Sequence, residues 1–262
     1  MTMSGSTERI SITGHLRELR KRLIICVLAA FAGFLLAYGY SEELFVLLTA
    51  PLIPALPPGH DYMAFTSIVE PFFVYLKIGF VFGILVASPV IIYQTWAFVA
   101  PGLYRAEKIW FVSIVVASLV LFLSGSLFAF TIVFPYGFKY LLGYSGQDLR
   151  PVLSIGLYFS MIVRLLLAFG VCFQLPLIIL ILSKLGMVTP GKLISWWRYA
   201  IVTILIVSAV LTPTPDVFNQ LMMAGPLAVL YMLGIIVAKV FGRERKEEKE
   251  TDSDLAVTKT GI

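Results

Sequence analysis

The sequence GHLRELRKRLIICVLAAFAGFLLAYGY, Gly14 to Tyr40, places a basic segment directly before an apolar run. Apolar segments of about 20 residues cross a hydrocarbon core about 30 Å thick, so we predict a first membrane helix over residues 23–40. No A-x-A site follows the run, which favours an uncleaved helix over a signal peptide. One carboxylate, Glu18, lies among four cations, which are Arg17, Arg20, Lys21 and Arg22.

Leucines recur through the basic segment at helical spacing, at positions 16, 19 and 23. This pattern predicts an amphipathic lead-in to the first helix, lying near the lipid headgroups. The basic side chains then hold the amino terminus on one side of the membrane. Glu18 is the exception to that charge pattern, and it is either a partner of Arg22 at i+4 or a ligand for something else.

The composition predicts an all-α polytopic membrane protein. Of 262 residues, 59% are hydrophobic and 13% are charged, and the mean hydropathy is +0.93. Soluble domains carry about 25% charged residues. The apolar runs are too long and too evenly apolar for barrel strands. Six transmembrane helices are predicted, at 23–40, 72–98, 109–134, 156–182, 196–211 and 217–240.

Basic residues in the connections orient these spans. The amino-terminal segment, the second and fourth connections and the tail carry sixteen Lys and Arg residues, whereas the other side carries Lys139 and Arg150. Cytoplasmic connections are the lysine- and arginine-rich ones, so both termini are predicted to be cytoplasmic. The net charge of +5 is then a signal for topology and lipid headgroups, not for nucleic acid. Residues 1–240 form the predicted membrane domain and 241–262 a disordered cytoplasmic tail.

The predicted helices are unequal and kinked. Residues 196–211 would be about 24 Å long at about 1.5 Å per residue, and the connection TPTPD at 212–216 allows only a reversal of direction. The last two spans are therefore expected to form a short hairpin. Pro89 and Pro176 should kink the second and fourth helices, which favours a cup-like wall. A short helix at 41–49, ahead of Pro51, would help to cap its outer side.

Four polar residues at or near membrane depth are candidate functional groups. Lys77 can reach the interface from the outer end of the second helix. Arg164 lies deeper and faces either a partner or a wet cavity. Gln174 either hydrogen-bonds a neighbouring helix or receives the helix of another protein. Asp216 is predicted to be the N-cap of the sixth helix.

Motifs for catalysis and nucleotide binding are missing from the sequence, which holds no G-x-x-x-x-G-K-[ST], H-E-x-x-H or G-x-S-x-G. His15 and His60 are predicted on opposite sides of the membrane, so they cannot share a metal. Cys26 and Cys172 lie in apolar runs and are interpreted as small buried hydrophobes. The chain is predicted to be neither an enzyme nor a cofactor-binding protein.

Five segments, taken together, resemble one family. They are HLRELRKRL (15–23), APLI (50–53), PVIIYQTWAFVAPGLYRAEK (89–108), LAFGVCFQLP (167–176) and LTPTPDVFNQ (211–220). In this order they are similar to TatC, the multispanning core subunit of the twin-arginine protein translocase. The resemblance covers residues 10–240.

The resemblance implies a receptor for folded precursor proteins that carry twin-arginine signal peptides. Such a receptor works in the bacterial cytoplasmic (inner) membrane with the single-span partners TatA and often TatB, self-associates, and depends on the proton-motive force. By motif, the signal-peptide-binding residues are Glu18, Arg20, Arg22, Leu23, Phe98 and Glu107. Pro51 matches an outer-loop proline of the family and Asp216 the aspartate at the last turn.

One position departs from the family pattern, because many members have glutamate where this chain has Gln174. A mechanism that needs only a hydrogen bond there is preserved, whereas one that needs a titrating carboxylate is not.

The residues themselves favour a receptor site at Glu18 and Glu107. Carboxylates bind guanidinium groups bidentately, so these two acids suit a twin-arginine ligand. The competing interpretation of Glu18 is a pair with Arg22 worth about 0.3–0.5 kcal/mol. For Glu107 it is a surface carboxylate beside Arg105 and Lys108.

Two other functions remain open on the sequence. A proton-coupled transporter of small solutes would need a titratable residue in a closed midplane pathway. A purely structural anchor would show no export defect when Glu18 and Glu107 are changed.

Overall fold

The protein is a bundle of membrane-length helices. The computed structural model describes residues 12–52, 63–65, 67–99, 108–143, 154–212 and 216–241. Five helical segments within these ranges are long and apolar enough to cross a membrane, and a shorter apolar helix lies at Trp197–Leu211. The elements are α1 (Ile12–Gly39), α2 (Ser41–Thr49), α3 (Glu70–Val99), α4 (Lys108–Phe128), a π-helical turn (Ala129–Val133), α5 (Phe134–Leu142), α6 (Ile155–Cys172), α7 (Leu175–Lys184), α8 (Pro190–Ser195), α9 (Trp197–Leu211) and α10 (Val217–Phe241).

The basic segment is part of α1. Helix α1 is continuous from Ile12 to Gly39, so the predicted lead-in is the first turns of the spanning helix and not a separate element. Its leucines face outward, with Leu16 57% and Leu23 59% exposed. The continuity follows from the composition, because no glycine or proline separates Leu16 from the apolar run.

A glycine crossing joins α1 to α3. A Cβ atom added at Gly33 would lie 2.4 Å from the Gly83 carbonyl oxygen, and one added at Gly83 would lie 2.6 Å from the Phe34 amide nitrogen. Small residues let membrane helices approach this closely, and van der Waals packing then holds them. This contact fixes the amino-terminal end of α1 beside the carboxyl-terminal end of α3.

The second span contains a proline but remains a continuous helix, since α3 continues through Pro89. Proline removes the amide that would bond the carbonyl four residues earlier, which here is that of Leu85. The Ser88 hydroxyl donates to this carbonyl at 2.6 Å and replaces the lost hydrogen bond. The Leu85 carbonyl, which loses its helical donor because of Pro89, is therefore hydrogen-bonded by Ser88 instead.

The third and fourth spans are irregular. The third runs from Ile109 to Leu142 through the π-helical turn, a feature that the sequence did not predict. The fourth is interrupted between Cys172 and Leu175, directly before Pro176, where the sequence predicted a kink.

The fifth helix is short, as predicted, with 15 residues in α9. The expectation of a short sixth helix is wrong, because α10 has 25 residues and is long enough to span a membrane. Helix α10 carries Pro226 internally and still keeps its helical hydrogen bonding to Phe241. Of the last two helices, only α9 is therefore shorter than the membrane is thick, and it lies next to the longer helix α10.

The end of the bundle that carries α2, here called the α2 end, is predicted to be external and is tied together by polar contacts. Helix α2 confirms the short helix predicted at 41–49. The Tyr158 hydroxyl donates to the Leu48 carbonyl at 2.8 Å, which joins α6 to α2. The Glu70 carboxylate accepts from the Ser154 hydroxyl and the Gly156 amide, both at 2.6 Å. An acid at the start of α3 thus caps the start of α6.

Candidate functional site

Glu18, Arg22 and Gln94 form a connected group at the end of the bundle that is predicted to be cytoplasmic. Arg22 Nε and Nη2 donate to Glu18 Oε1 at 3.0 and 2.6 Å. Arg22 Nη1 donates to Gln94 Oε1 at 3.0 Å, which links α1 to α3. The Glu18 side chain is 46% exposed and that of Arg22 is 22% exposed. Arg22 therefore links the carboxylate to α3, and the carboxylate is still reachable from water.

A ring stack lies beside this group. The His15 and Phe98 rings are parallel within 18°, with centroids 4.4 Å apart. His15, Glu18 and Arg22 are spaced three and four residues apart, so they share one face of α1. The structure thus brings Glu18, Arg22 and Phe98 to the same α1–α3 junction.

Other predicted binding residues do not join this junction. Arg20 is exposed, and its position two residues from both Glu18 and Arg22 directs it to another face of α1. Leu23 is 59% exposed and lies next to, but not within, the hydrogen-bonded group. Glu107 lies outside the described residues.

Sequence reasoning missed His15 and Gln94 as members of the junction. His15 was considered only as a metal ligand, and Gln94 was one uncharged residue within a quoted motif. The helical spacing of His15 from Glu18 was a usable signal. The position of Gln94 opposite Arg22 depends on the crossing of α1 and α3, which no local pattern contains.

Gln174 occupies a second polar site, within the spans. Its Nε2 donates to the Ser118 carbonyl at 3.0 Å, while its Oε1 accepts from the Ser118 hydroxyl. Trp96 Nε1 also donates to the Ser118 hydroxyl oxygen, at 3.0 Å. Gln174 lies in the break between α6 and α7, where its side chain joins them to α4 and, through Ser118, to α3. Trp96 and Ser118 were not predicted from the sequence.

Arg164 is separate from Gln174. The two are ten residues apart, which places them on different faces of a helix, and Arg164 is exposed. Within the described part of the chain, Arg164 makes no hydrogen bond or ion pair. The structure does not bring these two predicted polar residues together.

Asp216 caps α10, which confirms the N-cap prediction. Its Oδ1 accepts from the Asn219 amide at 2.7 Å and its Oδ2 from the Asn219 Nδ2 at 2.9 Å. Pro51, half-buried, begins the turn that follows α2.

Lys77 contacts a neighbouring helix, which the sequence did not predict. Its Nζ donates to the Ser160 hydroxyl oxygen on α6 at 2.7 Å.

The helical spans define the class first: this is a multi-pass α-helical membrane protein. Comparison with known proteins then gives the family. A sequence model of "Sec-independent protein translocase protein (TatC)" matches residues 14–226. The chain therefore belongs to the TatC family, whose members are membrane transport components and not enzymes.

Individual relatives agree with that assignment. TatC of Desulforapulum autotrophicum is 42% identical over 98% of this chain and 96% of its own length. TatC of Escherichia coli K12 is 37% identical over 89% of this chain and 91% of its own length. A crystal structure described as the twin arginine translocase receptor TatC has a TM-score of 0.78, with 38% identity over 87% of this chain and all of the other.

Proposed function

We propose that this chain is the core receptor and scaffold subunit of a twin-arginine translocase. It binds the signal peptides of folded precursor proteins at the cytoplasmic face. The observation that carries the proposal is the half-exposed Glu18 carboxylate at the α1–α3 junction, one helical turn from His15, on which the Phe98 ring stacks. A carboxylate with an adjacent apolar ring is suited to an arginine that is followed by apolar residues.

The Glu18–Arg22 pair is compatible with this role. A pair of this kind on an exposed helix face is worth about 0.3–0.5 kcal/mol, so an arginine of the signal peptide can replace Arg22. Gln94 then retains a hydrogen bond to Arg22 and keeps it close to the site. Glu107 is proposed as the second carboxylate, one for each arginine of the ligand. Arg20 and Leu23, both exposed on α1, are proposed to contact the flanks of the peptide.

Partner helices are proposed to dock against the short fifth span. Helix α9 exposes much of its apolar surface, and its 15 residues make a span of about 22 Å. A span this short thins the bilayer or is covered by another helix. TatA and TatB are the proposed partners, and the proton-motive force is the proposed energy source.

The polar groups of the spans take different parts in this proposal. Gln174 supports the wall from inside, since its amide is bonded to Ser118. Arg164 is an exposed cation within the fourth span. Both termini are proposed to be cytoplasmic in a bacterial inner membrane.

Photocrosslinking of a twin-arginine precursor to a probe at Phe98 tests the receptor site. We expect Glu18→Ala and Glu107→Ala each to reduce crosslinking and export. Glu42→Ala, which removes an exposed carboxylate from α2 at the opposite end, is the matched control and should have no effect. If both acid variants bind and export the precursor as well as the control does, the assignment of the site is wrong.

A further inference from the structure

Two cations, Lys77 and Arg164, lie on the wall formed by α3 and α6. Lys77 Nζ donates to the Ser160 hydroxyl oxygen at 2.7 Å, and that hydroxyl donates to the Gly156 carbonyl at 2.5 Å. Arg164 is four residues after Ser160, so it lies one turn further along the same face of α6. Lys77 is half-buried and Arg164 is exposed. The contact with Ser160 brings Lys77 to α6, one helical turn before Arg164.

The positive charges of Lys77 and Arg164 are not paired with an acidic side chain in the described part of the chain. The acid nearest to Lys77 along α3 is Glu70, seven residues away, and its carboxylate accepts hydrogen bonds from Ser154 and Gly156. A charged side chain within a membrane span costs several kcal/mol unless it is compensated. An anion at this site would supply that compensation.

The depth of the site indicates which anion is available. The two spans, Glu70–Val99 and Ile155–Lys184, have 30 residues each. At about 1.5 Å per residue they are about 45 Å long, which matches a bilayer with its headgroups. Lys77 and Arg164 lie seven and nine residues from the α2 ends of these spans, or about 10 to 14 Å. Their long side chains therefore reach the level where lipid phosphates lie.

An apolar cavity continues along the same face of α6. Val171 is seven residues after Arg164, two turns along the helix, and it lines a cavity of about 480 Å³. Leu175, Ala200, Thr203, Val207 and Leu227 also line it, between the fourth span and the α9–α10 pair. This volume lies within the range of about 300–1,000 Å³ that is usual for ligand sites. A cationic site above an apolar cavity complements a molecule with an anionic head and a hydrocarbon chain.

We propose that Lys77, positioned by Ser160, and Arg164 hold the phosphate of an anionic phospholipid, and that one acyl chain of this lipid occupies the cavity. The lipid belongs to the leaflet at the α2 end, which the charge distribution makes the outer leaflet. It fills the cavity between α6 and the α9–α10 pair. The inference does not depend on the proposed translocase function.

Lipid retention by the full-length chain tests the proposal. The protein is reconstituted in phosphatidylcholine vesicles that contain a minor fraction of phosphatidylglycerol, extracted in mild detergent, and its bound lipid is measured by native mass spectrometry. The wild-type chain should retain phosphatidylglycerol in preference to phosphatidylcholine. The double variant Lys77→Gln/Arg164→Gln should retain at least about tenfold less, because each cation contributes a charge-assisted hydrogen bond.

A matched control removes the same charge elsewhere. Lys139→Gln/Arg198→Gln neutralises two exposed cations outside the site and should retain phosphatidylglycerol like the wild type. Arg164→Lys keeps the charge and should retain most of the lipid. Thr203→Trp fills the cavity and leaves the cations intact, so it should also reduce retention. The single variants keep the proposal testable if the double variant does not fold.

Three results would overturn the proposal. The first is equal retention of phosphatidylglycerol by the wild type and the Lys77/Arg164 double variant. The second is full displacement of the lipid by glycerol 3-phosphate, which would show a site for free phosphate without a role for the acyl chain. The third is unchanged retention together with loss of a partner membrane helix in the double variant, which would assign the cations to a carboxylate of that helix.

Discussion

The side chain of Gln174 hydrogen-bonds both the hydroxyl and the backbone carbonyl of Ser118, so that the amide acts as donor and acceptor at once. The donor half is the half that an ionised glutamate lacks. An uncharged amide is therefore suited to this position, because it bonds the Ser118 carbonyl without placing a charge in the span. The uncharged amide at Gln174 therefore has a local structural reason.

A double-mutant cycle at Gln174 and Ser118 should reveal their coupling. We expect Gln174→Ala and Ser118→Ala each to destabilise the protein, and the coupling between them to be about 0.5–1.5 kcal/mol, as for other hydrogen bonds between membrane helices. Unfolding in mixed micelles measures it. Ser113→Ala, a variant of an exposed serine on α4, is the control for hydroxyl removal. Additive effects at Gln174 and Ser118 would contradict the expected coupling.

The glycine crossing of α1 and α3 should tolerate no added methyl group. Gly33→Ala places its Cβ 2.4 Å from the Gly83 carbonyl oxygen. We expect the helices to separate, with a loss of about 1–3 kcal/mol in unfolding free energy. Gly14→Ala is the matched control, because no atom lies within 4 Å of its added Cβ. The control should be neutral or more stable by up to about 1 kcal/mol, since alanine favours helix. If the two substitutions have equal effects, the glycine crossing is not the cause of the destabilisation.

Charge reversal at Glu18 should weaken precursor binding more than charge removal does. Glu18→Ala leaves a basic segment that repels two arginines, and we expect binding about ten- to a hundredfold weaker. Glu18→Lys adds a further repelling charge. The difference between the two variants should shrink at high salt, because exposed charges are screened.

Binding of a twin-arginine peptide at two ionic strengths measures these effects. Glu42→Lys on α2 makes the same charge change at the other end of the bundle and should have no effect. If Glu18→Lys binds as well as Glu18→Ala at low salt, Glu18 does not face the ligand.

The N-cap at Asp216 should stabilise the start of α10. Asp216→Ala removes the acceptor for the Asn219 amide, and N-cap losses of this kind cost about 1 kcal/mol. Because Asn219 is buried, its Nδ2 also loses a partner and the loss should be larger than for an exposed cap. Asp216→Asn keeps an acceptor oxygen and should retain most of the stability. A thermal unfolding midpoint that is equally lowered in both variants would instead indicate a role for the charge.

Sequence patterns predicted the elements well and their partners poorly. The apolar runs, the short helix at 41–49, the short fifth span and the cap at Asp216 all depend on neighbours within one or two turns. The length of α10, the π-helical turn and the contact of Lys77 with Ser160 do not, and the sequence analysis missed or misjudged them. A helix can continue past a proline when a neighbouring group satisfies the freed carbonyl, as Ser88 does at Leu85.

By itself, the sequence determined that the chain spans a membrane as helices. Backbone amides in lipid must be hydrogen-bonded within the protein, and the apolar runs are too long and too evenly apolar for barrel strands. It also indicated Glu18 as the one acid in a basic segment. Only the tertiary structure decided what that acid meets. Crossing helices bring together residues that are far apart in sequence, so Arg22 meets Gln94, His15 meets Phe98, and Ser118 meets Gln174. Those contacts depend on the crossing of whole helices, and a short sequence motif contains only one of the two residues in each contact.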